Sequence, residues 1–283
     1  MTTRKPTDAD IDVHGLTHPG KVRKENQDHF LIAALSRQMR VDRTSLPAGL
    51  HLPVRSERMA SLAMVADGVG SGVGEEASRS TLLAIAAYVE RSANAFYTSE
   101  AEDGDRFSQI LSDAAMQCHA DLVERGASGP GRGRMATTLT LWLGLWPHAY
   151  LLHVGDSRCY MFRDNQLSQL SRDQTMAQDL VDDGVLTQTK AHRTRWANVL
   201  SSAIGGQEAA PVVSRIVRDW GTVVLLCSDG LFKHVPDERI AERLRTMTSS
   251  QQACEALLQD ALDDGGTDNV TIIIGRTIRP ADA

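Results

Sequence analysis

Five aspartates stand at the ends of apolar segments that lie far apart along the chain. Asp28 opens one segment, Asp67, Asp156 and Asp229 each follow one, and Asp268 precedes the last. A single Asp at a strand end is commonly a turn or cap residue. Five of them indicate carboxylates that meet at one place. Because several buried negative charges are tolerated together only with cations, the pattern predicts a metal site.

The type of ligand selects the metal. The candidate donors are carboxylate oxygens, and no Cys or His stands at metal-ligand spacing. Such a set favours Mg²⁺ or Mn²⁺ over zinc. Gly68, beside Asp67, lets a backbone carbonyl or a water approach an ion closely. The cysteines form no CxxC pair and are expected to be buried, reduced and without chemistry, namely Cys118, Cys159, Cys227 and Cys254.

A nucleotide-binding loop is the alternative interpretation of the glycine-rich segment. Residues 72–77, GVGEEA, fit the pattern GxGxxA, and Glu90 lies where a ribose-binding acid could fall. A pyrophosphate at that helix start would be repelled by Glu75, Glu76 and Asp67. Cations beside a strand-end carboxylate suit these charges better.

Periodicity predicts the elements that position the aspartates. Short β-branched runs predict strands over 28–34, 61–66, 138–145, 149–154, 158–162, 222–227 and 270–275. Helical spacing of apolar residues predicts helices over 75–93, 105–125, 174–183, 237–248 and 252–263, with 184–198 as an irregular loop. The order does not alternate regularly, which favours an α+β fold of stacked antiparallel sheets over a doubly wound parallel sheet.

Composition limits the classes of function. The chain has 283 residues, 42% of them hydrophobic, and a formal net charge of −6, which argues against nucleic-acid binding. It lacks both an apolar stretch of about 20 residues and a signal peptide, so a cytoplasmic protein is predicted. We expect a flexible N-terminus over 1–10, one domain over 11–278 and a tail over 279–283. Residues 36–58 carry five arginines against two acids and are either a solvated insertion or a substrate-recognition element.

Motifs from about residue 12 to 277 follow the order found in one family. They are GKVRKENQD, MVADGVGSGVGEEAS, MATTLTLWL, LLHVGDSRCYMF, LLCSDGLF and GGTDNVTIII. Together they resemble the PP2C-type (PPM) metal-dependent protein serine/threonine phosphatases in their compact bacterial form. The resemblance implies a central β-sandwich of two antiparallel sheets, flanked on each side by a pair of antiparallel helices. It also implies a flap region at about 174–200.

The resemblance also implies roles for the metal ligands. Asp67 bridges two Mn²⁺ or Mg²⁺ ions, and the carbonyl of Gly68 binds one of them. Asp229 and Asp268 complete the shell of the first ion. Asp28 supports the other ion, mainly through water.

The resemblance implies roles for two further residues. Arg23 binds the substrate phosphate, because its planar guanidinium group can donate hydrogen bonds to two phosphate oxygens at once. Asp156, with Asp229, holds the third ion that some bacterial members contain. Thr137 and Thr138 are expected to be plain strand residues.

The chain departs from the family pattern at two positions. Gln27 stands where many members have Glu, which removes one negative charge next to Asp28. Val69 stands where some eukaryotic members have a His that protonates the leaving group. The general acid is therefore left open between water and His192 in the flap region.

The function implied is hydrolysis of phosphoserine and phosphothreonine esters by direct attack of a metal-bridging water. The expected partners are phosphorylated proteins and a cognate bacterial Ser/Thr kinase, and the expected state is a monomer. Two alternatives stay open: a pseudophosphatase or regulatory binding module on the same fold, and a phosphatase dedicated to one switch protein in stress-response or secretion control. The intact aspartates at 28, 67, 229 and 268 favour an active enzyme.

Overall fold

A computed structural model describes residues 4–37, 57–70, 72–92, 104–128, 134–191 and 194–279. Most of the arginine-rich segment 36–58 lies outside the described residues, and so does His192.

Two antiparallel sheets contain the strands. Their bounds are β1 Ile11–His18, β2 Asp28–Arg37, β3 Glu57–Val69, β4 Ala136–Thr137, β5 Leu139–Leu145, β6 His148–Val154, β7 Arg158–Arg163, β8 Gln166–Gln169, β9 Val212–Val217, β10 Val223–Cys227 and β11 Val270–Thr277. One sheet has the order β1-β11-β10-β7-β8. The other has the order β2-β3-β5-β6-β9, with β4 paired to the end of β3.

Helices cover the outer face of each sheet. Their bounds are α1 Gly74–Arg91, α2 Gly104–Ser128, α3 Met176–Asp182, α4 Gln188–Ala191, α5 Asp229–Phe232, α6 Asp237–Arg245 and α7 Ser250–Asp263. The pair α1 and α2 is antiparallel, since Glu76 near the start of α1 binds Arg125 near the end of α2. This pair packs on the six-stranded sheet, and α6 and α7 pack on the five-stranded one.

Alternation along the strands creates three apolar layers. On β3, Met64 and Ala66 face the helices, whereas Val65 faces the other sheet. On β10, Leu225 faces the α6–α7 pair and Leu226 faces the opposite sheet. The alternating burial therefore produces a sandwich with helices on both outer faces, and the predicted α+β fold class is confirmed.

The strands that the sequence pattern missed lie at the margins of the sheets. β1, β8 and β9 are edge strands whose residues are mostly half-buried or exposed. They lack the continuous apolar runs of central strands, so periodicity did not indicate them. The expected loop 184–198 also contains one helical turn, α4. Within the described ranges, none of the helices has the length and hydropathy to cross a bilayer.

Candidate metal centre

The topology gathers the five aspartates at one end of the sandwich. Register places the start of β2 opposite the end of β3, and the end of β10 opposite the start of β11. A cavity of about 610 Å³ opens there. Its acidic lining includes Asp67, Asp156, Asp229 and Asp268. Carboxylates that are up to 201 residues apart in the chain (67 to 268) therefore share one cavity.

Asp28 and Asp67 are directly opposite each other on β2 and β3. Like charges at such a cross-strand position repel. Asp28 is buried, and its Oδ2 accepts a hydrogen bond of 2.7 Å from the Thr271 hydroxyl. Its Oδ1 is also buried but has no hydrogen-bond partner. Burial, with added repulsion from Asp229, raises the pKa of Asp28 to about 6.

Asp67 lies at the centre of the negative charge. Burial raises the pKa of its carboxyl well above the ordinary value, and repulsion from the other four aspartates adds to this. Two threonines hold its backbone: the Asp67 N–H donates to Thr138 Oγ1 at 3.0 Å, and the Thr137 hydroxyl donates to the Asp67 carbonyl at 2.8 Å. Thr138 Oγ1 also lies 2.7 Å from Ser157 Oγ, beside Asp156. The two threonines thus act as positioning residues.

Position 68 requires glycine because another backbone segment lies too close to leave room for a side chain. A Cβ at this position would lie 2.2 Å from the carbonyl oxygen of Gly74 at the start of α1. The Gly68 N–H donates to the Gln27 carbonyl at 3.1 Å. The absence of a side chain lets the end of β3, the start of α1 and the segment before β2 meet beside Asp67.

Asp229 begins the short helix α5 after β10. A Cβ on Gly230 would lie 2.0 Å from the Asn269 carbonyl oxygen, so glycine permits the segments that carry Asp229 and Asp268 to cross. Lys233, four residues after Asp229, binds Asp229 Oδ2 through its ammonium group. Burial raises the pKa of Asp229 even though Lys233 opposes the shift.

Arg23 is paired with Asp268. Its Nε and one terminal nitrogen donate to the two carboxylate oxygens at 2.8 and 2.9 Å. The Arg23 side chain is 56% exposed, so the guanidinium stands at the mouth of the cavity. The planar fork that binds a carboxylate in this way has the same geometry as a phosphate-binding fork.

Asn269 fixes the segment that carries Arg23. Its Oδ1 accepts from the Gln27 N–H at 2.9 Å, and its Nδ2 donates to the carbonyls of Pro19 at 3.0 Å and Glu25 at 2.9 Å. One buried amide side chain therefore holds both ends of the loop before β2.

Asp156 lies in the turn between β6 and β7. Burial raises its pKa to about 8, with repulsion from Asp229 adding to the shift and Lys233 opposing it. Arg158, the first residue of β7, binds Asp173 with donor–acceptor distances of 2.7 to 3.2 Å. It also stacks 3.7 Å over the ring of Phe232. The Arg158 guanidinium is therefore already bound by Asp173 and Phe232.

The residues fit a site for hard divalent cations. The donors are oxygens, their repulsion is only partly compensated, and the buried Asp28 Oδ1 has no partner. As the described side chains stand, no group of three or more Asp, Glu, His or Cys is placed to hold a metal ion, and Asp229 and Asp268 are paired with Lys233 and Arg23. Lys233 and Arg23 thus neutralise part of the negative charge of the cavity, which bound divalent ions would neutralise fully.

Comparison with known proteins decides the family. The profile of the Protein phosphatase 2C family matches residues 12–264. The chain belongs to this family. A curated relative, the serine/threonine protein phosphatase PstP of Mycobacterium tuberculosis, is 32% identical over 220 residues, which is 77% of this chain and 41% of that protein. The chain therefore spans about two fifths of the length of this relative.

Several solved structures have the same fold as this chain. The crystal structure of M. tuberculosis PstP is 28% identical with a TM-score of 0.74, and the match covers 95% of this chain and 99% of that one. A PstP catalytic domain in complex with two manganese ions is 27% identical with a TM-score of 0.69, over 95% and 99% of the two chains. Stp1 from Staphylococcus aureus, 21% identical, has a TM-score of 0.77 over 99% and 100%, and shows likeness of fold alone.

The structure brings together the site residues that the sequence indicated, and their roles stay predictions. They are Arg23, Asp28, Asp67, Gly68, Asp156, Asp229 and Asp268. Lys233 and Asn269 were missed, and Thr137 and Thr138, expected to be plain strand residues, also hold the backbone of Asp67. The spacing of Lys233, four residues after Asp229 on a helix, was an available signal, because such pairs face each other. The nucleotide-loop alternative does not fit, since the neighbours of β3 are antiparallel and form no βαβ unit.

Proposed function

We propose that this chain is a metal-dependent protein phosphatase that hydrolyses phosphoserine and phosphothreonine esters. The observation that carries the proposal is a single cavity in which buried and half-buried, mutually repelling carboxylates stand beside an arginine fork. Such a cavity attracts divalent cations and, once these are bound, a phosphate dianion.

Five groups would hold two Mn²⁺ or Mg²⁺ ions: the carboxylates of Asp28, Asp67, Asp229 and Asp268 and the carbonyl of Gly68. All are hard oxygen donors, as these ions prefer. Bound ions supply Lewis-acid stabilisation of the phosphoryl oxygens and make water acidic enough to react near neutral pH. The protein places the ligands and fixes their backbones through Thr137, Thr138 and Asn269.

Arg23 would change partner during the reaction. In the structure its fork lies on Asp268. If Asp268 binds an ion, the fork is released, and the exposed guanidinium can bind two oxygens of the incoming phosphate. Four carboxylates and two divalent ions are then electrically balanced, so the arginine charge is available for the substrate.

The described lining of the cavity supports hydrolysis without a covalent enzyme intermediate. It contains no Cys, Ser or His, and its hydroxyl group on Thr138 is bonded to Asp67 and Ser157. The four cysteines are buried elsewhere in the fold. Burial raises the pKa of Cys159 and Cys227, which keeps these thiols protonated. A water molecule is therefore the proposed nucleophile.

Substrates and setting follow from the family. We propose phosphorylated proteins as substrates, since M. tuberculosis PstP is a serine/threonine protein phosphatase. A cognate kinase, a monomeric state, a cytoplasmic location and the domain limits at residues 11 and 278 stay predictions from the sequence. So does a substrate-recognition role for segment 36–58.

Hydrolysis of p-nitrophenyl phosphate and of a phosphothreonine peptide tests the proposal, with Mn²⁺ and with excess chelator. Asp67→Asn removes one central carboxylate, and Asp113→Asn is the matched control, because Asp113 is exposed on α2. We expect activity that requires Mn²⁺ in the wild type and in Asp113→Asn, and its loss in Asp67→Asn. Equal rates for the wild type and Asp67→Asn would contradict the proposed function.

A further inference from the structure

Lys233 is the one lysine whose ammonium group binds a cavity carboxylate in the described part of the chain. It hydrogen-bonds to Asp229 Oδ2 and lies 3.9 Å from Asp268 Oδ2. Its side chain is only 30% exposed, so solvent screens the ammonium weakly.

Lys233 and Asp156 also line the same two cavities. These are the metal-site cavity and a neighbouring cavity of about 350 Å³. The other cation beside the neighbouring cavity, Arg158, is already bound by Asp173. Lys233 is therefore the one cation that lines both cavities in the described part of the chain, and it stands where Asp156 and Asp229 would share an ion.

A count of charges agrees with this position. The carboxylates at 28, 67, 156, 229 and 268 carry five negative charges when ionised. Two divalent ions carry four positive charges, and the Lys233 ammonium carries the fifth. A third divalent ion beside Lys233 would leave excess positive charge in a poorly screened place, which is unfavourable.

We propose that the Lys233 ammonium takes the place of a third divalent ion beside Asp156 and Asp229, so that the loaded centre holds two ions. This inference rests on the proposed function, because it presupposes that the other carboxylates bind metal. Lys233 uses Oδ2 of Asp229 and leaves Oδ1 for an ion. Asp156 is then a partner of the lysine charge and not a metal ligand.

Equilibrium dialysis of the full chain against Mn²⁺ tests the inference, with free Mn²⁺ measured by electron paramagnetic resonance. Wild type should saturate at two ions per chain. Lys233→Arg, which keeps the charge, should also saturate at two, as should Lys190→Met on α4. Lys233→Met should bind a third ion, and Lys233→Asp should bind that third ion at least tenfold more tightly than Lys233→Met.

The outcomes separate the inference from the proposed function. A wild type that binds three ions would overturn the inference alone and needs no variant to show it. Lys233→Met and Lys233→Asp that both stop at two ions while remaining folded by circular dichroism would also overturn it. A wild type that binds no Mn²⁺ would overturn the proposed function and the inference together.

Discussion

Asp260 is half-buried and Asp28 is buried, but cations surround only the first. Asp260 on α7 accepts two hydrogen bonds from Arg239 at 3.0 and 3.1 Å and two from Arg243 at 2.7 Å. These arginines, Arg243 foremost, lower the pKa of Asp260 to about 2. Asp28 faces another carboxylate, and burial raises its pKa to about 6.

The contrast teaches how to distinguish a structural carboxylate from one that awaits a ligand. Asp260 and Glu242 balance the charges of Arg239 and Arg243, and the cluster ties α6 to α7. The cavity aspartates are only partly balanced, by Lys233 and Arg23. Natural proteins keep such uncompensated charge chiefly where function requires it. The predictions below test this difference, from the largest expected effect to the smallest.

Matched Asp→Asn changes in the two clusters should differ most in catalysis. Asp229→Asn is expected to lower kcat/KM about a thousandfold, because a ligand that supports several kcal/mol of transition-state stabilisation is lost. Asp260→Asn should leave kcat/KM within about twofold of the wild-type value. Steady-state kinetics with saturating Mn²⁺ measure both. A similar loss in the two variants would show that the cavity carboxylate has no special role.

A buried histidine gives the pH prediction. Burial lowers the pKa of His153 to about 4, with Nε2 donating to the Arg172 carbonyl at 2.9 Å. Between pH 6.5 and 4, His153 is protonated in the unfolded chain but stays neutral in the folded chain. Stability from this group is therefore complete above pH 6.5 and falls as the pH decreases, by about 3 kcal/mol in total.

His153 and Asp28 respond to acid in opposite directions. Burial favours the neutral form of both, but for Asp28 the folded state binds the proton more readily, so acid stabilises it relative to the unfolded chain. Urea unfolding at pH 7 and pH 5 should show a smaller pH dependence in His153→Gln than in the wild type. An unchanged pH dependence would mean that folding does not lower the pKa of His153.

Arg23 should matter through its shape as well as its charge. Arg23→Lys keeps the charge but loses the fork, so we expect kcat/KM toward a phosphopeptide to fall about 10- to 100-fold. Arg4→Lys, a matched change at an exposed pair with Asp10, should have no such effect. Equal kcat/KM for Arg23→Lys and the wild type would exclude a bidentate role for Arg23.

Replacement of Asp260 should lower the stability of the protein and leave its activity nearly unchanged. Asp260→Asn leaves Arg239 and Arg243 without their shared partner. We expect the free energy of unfolding to fall by about 1–2 kcal/mol, since both arginines are partly exposed. Urea denaturation of the metal-free chain measures it. A gain in stability would mean that this cluster, like the cavity, is strained by its charges.

The sequence predicted most of the fold because central strands and long helices have strong patterns. The run that ends in Asp67 is apolar on both faces, as a strand buried between two layers requires. The edge strands β1, β8 and β9 contain mixed polar residues, and only pairing with a neighbour defines them. Segment 184–198 resembled a loop since the helical turn of α4 is too short for a periodic signal.

The predicted site was correct in its aspartates and incomplete in what holds them. Asp67 and Asp229 are visible in sequence because each follows an apolar run and precedes glycine. The bonds of Asn269 to Pro19 and Glu25 join positions about 250 residues apart, so only the folded chain shows them. The pairing of Arg23 with Asp268 was hidden for the same reason, although both residues were singled out.

The stability of Asp67→Asn with and without metal tests the central claim most directly. Without metal, the variant should be more stable than the wild type by about 1–3 kcal/mol, because a buried repelling charge is removed. Mn²⁺ at about 100 times its Kd should then stabilise the wild type by about 2.7 kcal/mol and the variant far less. A metal-free variant less stable than the wild type, with an equal response to Mn²⁺, would contradict the account.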